Sequence, residues 1–215
     1  MSYASLVEKH SQTLDRALIA IHDRSFHAHW PEAPSGKIYG ENANADGQAA
    51  FHRQLNKPFD RLLQQGAKLH HGEEDSPYGF SLGISYPVTP AEQLMRQASA
   101  AMQTWQKMSV RERAAVLIEC LEDASKHFFE IAYATQHTTG QGFVMAFQAS
   151  GPHSFDRALE AIATGVYALE AFVPSQTWTK PMGKMSVTLE KKFHVRPKGV
   201  NLTIGSVSYT HLTLP

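Results

Sequence analysis

Met185-Ser186-Val187-Thr188-Leu189-Glu190-Lys191-Lys192-Phe193-His194-Val195-Arg196 is the stretch on which the fold class turns. Val187, Leu189, Phe193 and Val195 alternate with Thr188, Glu190, Lys192, His194 and Arg196, and a period of two gives one apolar and one wet face. That is an antiparallel or edge strand. Pro197-Lys198-Gly199 supplies a turn, and Val200, Leu202 and Ile204 open a further strand, apolar enough to enter a covered sheet. Everything upstream has helical spacing or none, so the chain reads as α/β with its helices first.

Working back, Leu159, Ile162, Val166 and Leu169 lie three or four apart, with Ser154 as the expected cap and Asp156 in the first turn. Ser109, three residues before Glu112, predicts a capping box for a helix carrying Ala114, Leu117, Ile118 and Leu121 on one face. Asp123 or Ser125 interrupts that helix before Phe128, Ile131 and Ala132 continue the pattern to a stop at Gly140. Thr89, Pro90 and Glu92 have the spacing of a second capping box, followed by a stripe of Leu94, Ala98, Ala101, Met102 and Trp105 expected to be buried. Between Arg24 and Pro87 the periodicity fades under many Gly and Pro residues. A short helix over Gln48 to Leu55 and an extended piece over Gly79 to Tyr86 are expected there. The aromatics of this stretch, among them Trp30, Tyr39, Phe51 and Tyr86, supply apolar area to pack on a larger body. The chain opens with a helix whose apolar side is Leu6, His10, Leu14, Leu18 and Ile21.

Composition narrows the functions. The 215 residues carry 20 basic and 20 acidic side chains; this balance lacks the positive field that favours a phosphate backbone, so nucleic acid is not an expected partner. One cysteine permits no internal disulfide, and neither a leader nor an apolar run of about 18 residues is visible. A cytoplasmic protein without membrane partners is the expectation.

Residues Glu92 to Gly140, with a spaced-alanine helix ending in Trp105, then Ser-x-Arg-x-Arg-Ala from Ser109, then Ala-x-x-His-Thr-Thr-Gly, resemble the amino-terminal helices of the aldehyde dehydrogenase superfamily. Trp30-Pro31-Glu32, Lys37-Ile38-Tyr39-Gly40-Glu41, Ser76-Pro77-Tyr78-Gly79, Tyr86-Pro87 and the block from His137 to His153 narrow the resemblance to the PaaN-type phenylacetic acid degradation proteins. It extends over nearly all of residues 3 to 205. One departure is Gly140-Gln141, where many aldehyde dehydrogenases carry Gly-Lys. The resemblance implies a division into a family-specific extension (1–88), helices of the dinucleotide-binding domain (89–172), an oligomerisation hairpin (173–198), the first sheet strand (199–205) and a tail (206–215) that departs from the family pattern and is expected to be non-native. The fold implied is the helical amino-terminal part of an aldehyde dehydrogenase, truncated where the dinucleotide-binding sheet begins.

The chemistry implied is oxidation of an aldehyde, here a ring-opened semialdehyde or its coenzyme A thioester, with NAD or NADP as cofactor in a homo-oligomeric parent. A thiolate must attack, a carboxylate must deprotonate water and an amide must meet the oxyanion. In the family these residues follow the strand that starts at Gly199, so no catalytic residue is expected within the chain, no cofactor is expected to bind the fragment, and the fragment is expected to be inactive. Ile204 and Gly205 match cofactor-cleft positions. Cys120, among Val116, Leu117 and Ala124 at helical spacing, reads as a small buried hydrophobe. His22, His27 and His29, or His70, His71 and Glu73, lack a zinc framework, and no metal is expected. Gly140-Gln141-Gly142 reads as helix termination rather than a phosphate loop, and Glu73-Glu74-Asp75 as a solvated run. The other function class is a non-enzymatic helical interaction module.

Overall fold

Ser2 accepts the amide of Ser5 and Arg24 takes a left-handed conformation, and between these caps runs α1, Tyr3–Asp23. The computed structural model describes residues 2–62, 64 and 68–202. After α1 come α2 (Gly36–Tyr39), α3 (Ala43–Gln54), β1 (Lys68–His71), β2 (Asp75–Ser76), β3 (Phe80–Ser81), β4 (Ser85–Val88), α4 (Ala91–Trp105), α5 (Val110–Ser125), α6 (Phe128–Thr139), α7 (Phe143–Ser150), α8 (Pro152–Leu169), β5 (Ser175–Met182) and β6 (Met185–Lys192). All three sheets are two-stranded and antiparallel: β1 with β4, β2 with β3, β5 with β6.

The body is helical. α1 lies on α5 and α8, α3 on α6, and α7 bridges α6 and α8. Leu14, Ala17, Trp30, Ala114, Ile118, Phe128, Phe129, Ala132, Phe147, Phe155, Leu159, Ala163 and Val166 form one buried cluster. Removing a large apolar side chain from water contributes roughly 1.5–3 kcal/mol, which is how residues from the loop-rich first ninety come to be fixed in place. Phe51, Leu82 and Ile84 form a second cluster beneath the short strands. Trp30 and Phe51, from the loop-rich first ninety residues, are therefore part of the core.

Ser109 accepts the amide of Glu112 at 3.2 Å while the Glu112 carboxylate accepts that of Ser109 at 2.7 Å, which is the expected capping box. The break after Ser125 and the left-handed Gly140, at φ 76°, also fall where the residues place them. Thr89 departs from its reading. Its hydroxyl donates to Gln64 Oε1 at 2.8 Å, and Pro90, in extended geometry and unable to cap with a side chain, takes the boundary position. The α4 stripe departs too: Leu94, Ala98 and Ala101 are exposed and Met102 and Trp105 only half-buried, so no residue of α4 is buried. Ser154 does not cap α8. The helix starts three residues earlier than that cap would place it, at Pro152, whose missing N–H suits a first turn, and the Ser154 hydroxyl donates to Ala149 O.

Other differences are local. The helix expected over Gln48 to Leu55 begins at Ala43. The extended piece over Gly79 to Tyr86 is two strands separated at Gly83, which has φ 60°. Among the described residues eight helices and four short strands precede the last hairpin; of the helices, α2 and α7 are the ones not expected, being too short for periodicity to mark. β6 ends at Lys192, and residues 199–202 form no strand; the rest of the expected first sheet strand, to Gly205, and the tail from Ser206 lie outside the described residues. Every residue of β5 and β6 is exposed.

Candidate functional site

Ile204 and Gly205, the positions matched to a cofactor cleft, lie outside the described residues. Cys120 is exposed, which corrects its reading as a buried hydrophobe. The core face of α5 is Ala114, Ala115 and Ile118, so Leu117, 42 % exposed, and Cys120 fall on the far side. An activated thiolate needs a neighbouring cation or base, and the adjacent Glu119 is a carboxylate already bonded to Lys9 and His10.

The histidines are dispersed. His22 pairs with Asp23 at 2.8 Å, His29 Nε2 with Glu122 at 2.8 Å, and His27 Nε2 is buried without a partner. Among the described residues no three His, Cys, Asp or Glu side chains converge as a metal site. Glu73 and Asp75 are exposed, but Glu74 is half-buried against Tyr86, whose phenol burial and the Glu74 charge push upward. The run is only partly solvated.

What the fold does assemble are joints between distant segments. Asp156, 6 % exposed, accepts the amide of His29 at 2.8 Å and of Trp30 at 3.4 Å, pinning the strap that follows α1 over α8. Burial raises its carboxyl pKa, and the two amide donors oppose that shift. The same burial, with the Asp156 charge, pushes Tyr39 up to about 12, and the Tyr39 hydroxyl donates to Pro31 O at 2.5 Å. Arg111 bridges Glu170 at 3.0 Å and Asp15 at 3.3 Å, tying α5 to α8 and α1. Glu119 on α5 holds Lys9 at 2.6 Å and buried His10 at 2.5 Å on α1.

Asp156→Ala orphans two buried donors and is expected to cost about 2 kcal/mol, whereas Asp156→Asn keeps an acceptor and should cost less than about 1 kcal/mol. Because the folded carboxyl takes up a proton more readily than the unfolded one, its contribution to stability grows as pH falls through its raised value and is lost as pH rises again. The asparagine variant should lack that dependence. Urea unfolding of the three proteins at two pH values measures both effects.

The His137 to His153 block is a packing device. Gly140 ends α6, Gly142 precedes α7 in extended geometry, and Gly151 sits where a Cβ would lie 2.5 Å from Phe147 O. This is the helix termination expected of Gly140-Gln141-Gly142. His137 itself meets Ser76 and three aromatic rings. None of these joints was legible in the sequence, since Asp156 lies 127 positions from His29, Glu119 lies 109 from His10 and His137 lies 61 from Ser76.

Two surfaces leave the body uncovered: the apolar side of α4, with Leu94 39 % and Met95 59 % exposed, and the alternating face of the β5–β6 hairpin, with Trp178, Val187 and Leu189 exposed. Element order and these open faces define the helical amino-terminal part of an aldehyde dehydrogenase fold. The NAD-dependent aldehyde dehydrogenase from Burkholderia multivorans, known from its crystal structure, superposes with a TM-score of 0.87 and is 41% identical over 96% of this chain. The chain is thus similar to the aldehyde dehydrogenase superfamily in sequence as well as fold, and it spans 37% of the length of that enzyme. No family model and no curated protein matches it. Among the described residues no helix is long and apolar enough to cross a membrane.

Proposed function

We propose that this chain is the helical scaffold of a nicotinamide-dependent aldehyde dehydrogenase that uses NAD. The observation that carries the reading is 41% identity, sustained over 96% of the chain, to an enzyme of which it spans 37%. Within that reading, residues 1–88 are an extension that stiffens the helices, 89–172 support the dinucleotide-binding sheet and 173–198 join subunits of a homo-oligomer. The exposed apolar face of α4 and the alternating face of β5–β6 support those two contacts. Ile204 and Gly205 would begin the cofactor cleft. The attacking thiolate, the water-activating carboxylate and the oxyanion donor belong to sequence beyond these residues, so the chain by itself should not turn over an aldehyde.

The PaaN-type resemblance in the His137 to His153 block supports a substrate from phenylacetate breakdown, a ring-opened semialdehyde or its coenzyme A thioester. A chimera tests the scaffold role: residues 1–202 replace the matching segment of the Burkholderia multivorans enzyme, and aldehyde-dependent NAD reduction is followed at 340 nm. Activity within about tenfold of the parent, ~1.4 kcal/mol in the barrier, is expected. A soluble, folded chimera with no turnover would favour a non-enzymatic interaction module. The substrate class is tested separately, by offering both forms of the semialdehyde to the product of the complete reading frame.

A further inference from the structure

His137, in the last turn of α6, is enclosed by groups from two other segments. Phe51 of α3 stacks on it with centroids 4.9 Å apart and planes 1° from parallel, Phe80 of β3 lies at 5.1 Å, and Tyr78 meets it edge-on at 5.2 Å. Its Nδ1 is 2.9 Å from Ser76 Oγ of β2. Ser76 is buried and Oγ accepts the amide of Tyr78 at 3.2 Å, so the hydroxyl proton is available to donate to Nδ1. Beside this ring the β2–β3 hairpin is also held by Gln136 Nε2, which donates to the Tyr78 hydroxyl at 3.3 Å, and by Pro77 against the Gly140 turn, while the Asn56 amide donates to Leu82 O at 2.9 Å just past its carboxyl end.

We propose that His137 is an acid-sensitive latch: protonation of its half-buried ring turns Nδ1 from acceptor to donor toward Ser76, sets a charge where Phe51 and Phe80 displace the water that would solvate it, and loosens the β2–β3 hairpin from α3 and α6. Two effects compete for the charge. The carboxyl end of a helix and the faces of the aromatic rings favour a cation, while partial enclosure by Phe51, Phe80 and buried Ser76 removes water that a cation needs. Burial wins, since it lowers the His137 pKa, and the nearby His52 of α3 lowers it further. The titratable groups that face the ring are His52 from α3 and the Tyr78 phenol from the hairpin. Among the described residues no carboxylate contributes to holding a proton on it.

The sign follows. A ring that is harder to protonate in the folded chain than free imidazole, at about 6.5, supports attachment fully above that range and progressively less as pH falls below it. Leu82, whose amide donates to Glu74 O at 3.0 Å, and Ile84 roof the second core cluster, so the opening reaches Phe51.

Amide hydrogen exchange on the intact chain between pH 8 and pH 5, corrected for intrinsic rates, tests this. Protection at Leu82, whose amide is bonded to Glu74 O, should fall about tenfold per pH unit at the acid end, while protection in α5 stays constant. His137→Phe, which keeps a ring and removes the titration, should make hairpin protection independent of pH. Constant protection in the unaltered chain, an equal fall in α5, or the same fall in the phenylalanine variant would overturn the proposal. Should that variant not fold, the imidazole of the unaltered chain decides by NMR titration: a midpoint below that of free histidine supports the latch, and one at or above it overturns it.

Discussion

Phe128→Ala should lower the unfolding free energy by about 3–5 kcal/mol, a large share of the roughly 5–15 kcal/mol typical of a folded domain. Phe128 opens α6 and is 1 % exposed. Its ring lies 4.8 Å from Phe155 of α8, 6.1 Å from Phe147 of α7, 6.2 Å from Tyr39 of α2 and 6.4 Å from Trp30, all near edge-on. Four segments thus meet on one side chain. Truncation leaves a cavity that none of them fills alone, since each is anchored elsewhere, Trp30 by Asp156 and Tyr39 by Pro31 O. Urea denaturation followed by circular dichroism measures the loss. A change under about 1 kcal/mol would mean that the cluster repacks into the vacated space.

Gly47→Val should be as damaging, at about 3 kcal/mol or more, for the opposite reason. Gly47 lies inside α3, where glycine costs about 0.5–1 kcal/mol relative to alanine, so an ordinary helix would gain from its replacement. Here a Cβ would fall 2.3 Å from Phe129 Cβ, 2.8 Å from the Phe129 carbonyl carbon and 2.9 Å from Glu130 N. Backbone atoms of α6 cannot step aside as a side-chain tip can, so α3 must lift and expose Phe51. Gly165 of α8 is the control: nothing lies within 4 Å of its added Cβ. Gly165→Ala should therefore stabilise by up to about 1 kcal/mol. Equal responses at the two glycines would show that helix propensity, and not the α3–α6 crossing, governs both sites.

The helices that carry their own start and stop signals were legible. Ser109 with Glu112, the break after Ser125 and Gly140 are local devices, complete within a few residues, and the structure places them as read. Thr89-Pro90-Glu92 carried the same letters but failed, because the Thr89 hydroxyl found Gln64 instead. The α4 stripe was read as buried on spacing alone, and spacing records which face is apolar, not whether anything lies on it. Leu117 and Cys120 show the same limit, since a small shift of the buried sector to Ala115 turned both to solvent. Short elements such as α2, α7 and β1 to β3 span too few residues for a period to register. The joints at Asp156, Glu119 and His137 depend on partners more than 60 positions away. The aldehyde dehydrogenase fold emerged from element order together with motif resemblance, while the positions expected to touch cofactor fall beyond residue 202.

The projecting hairpin has an electrical consequence. Residues 175–198 hold six of the 20 basic side chains, Lys180, Lys184, Lys191, Lys192, Arg196 and Lys198, against Glu190 alone among the 20 acidic ones. A chain of zero formal charge is therefore polarised, a cationic arm on an anionic trunk, with the Lys191 ammonium 4.5 Å from the centre of the Trp178 ring. Such a field is screened over about 8 Å at physiological ionic strength and reaches about 30 Å at 0.01 M. In dilute buffer the arm of one molecule is thus drawn toward the trunk of the next, and added salt weakens that attraction while leaving the arm's apolar face as adhesive as before.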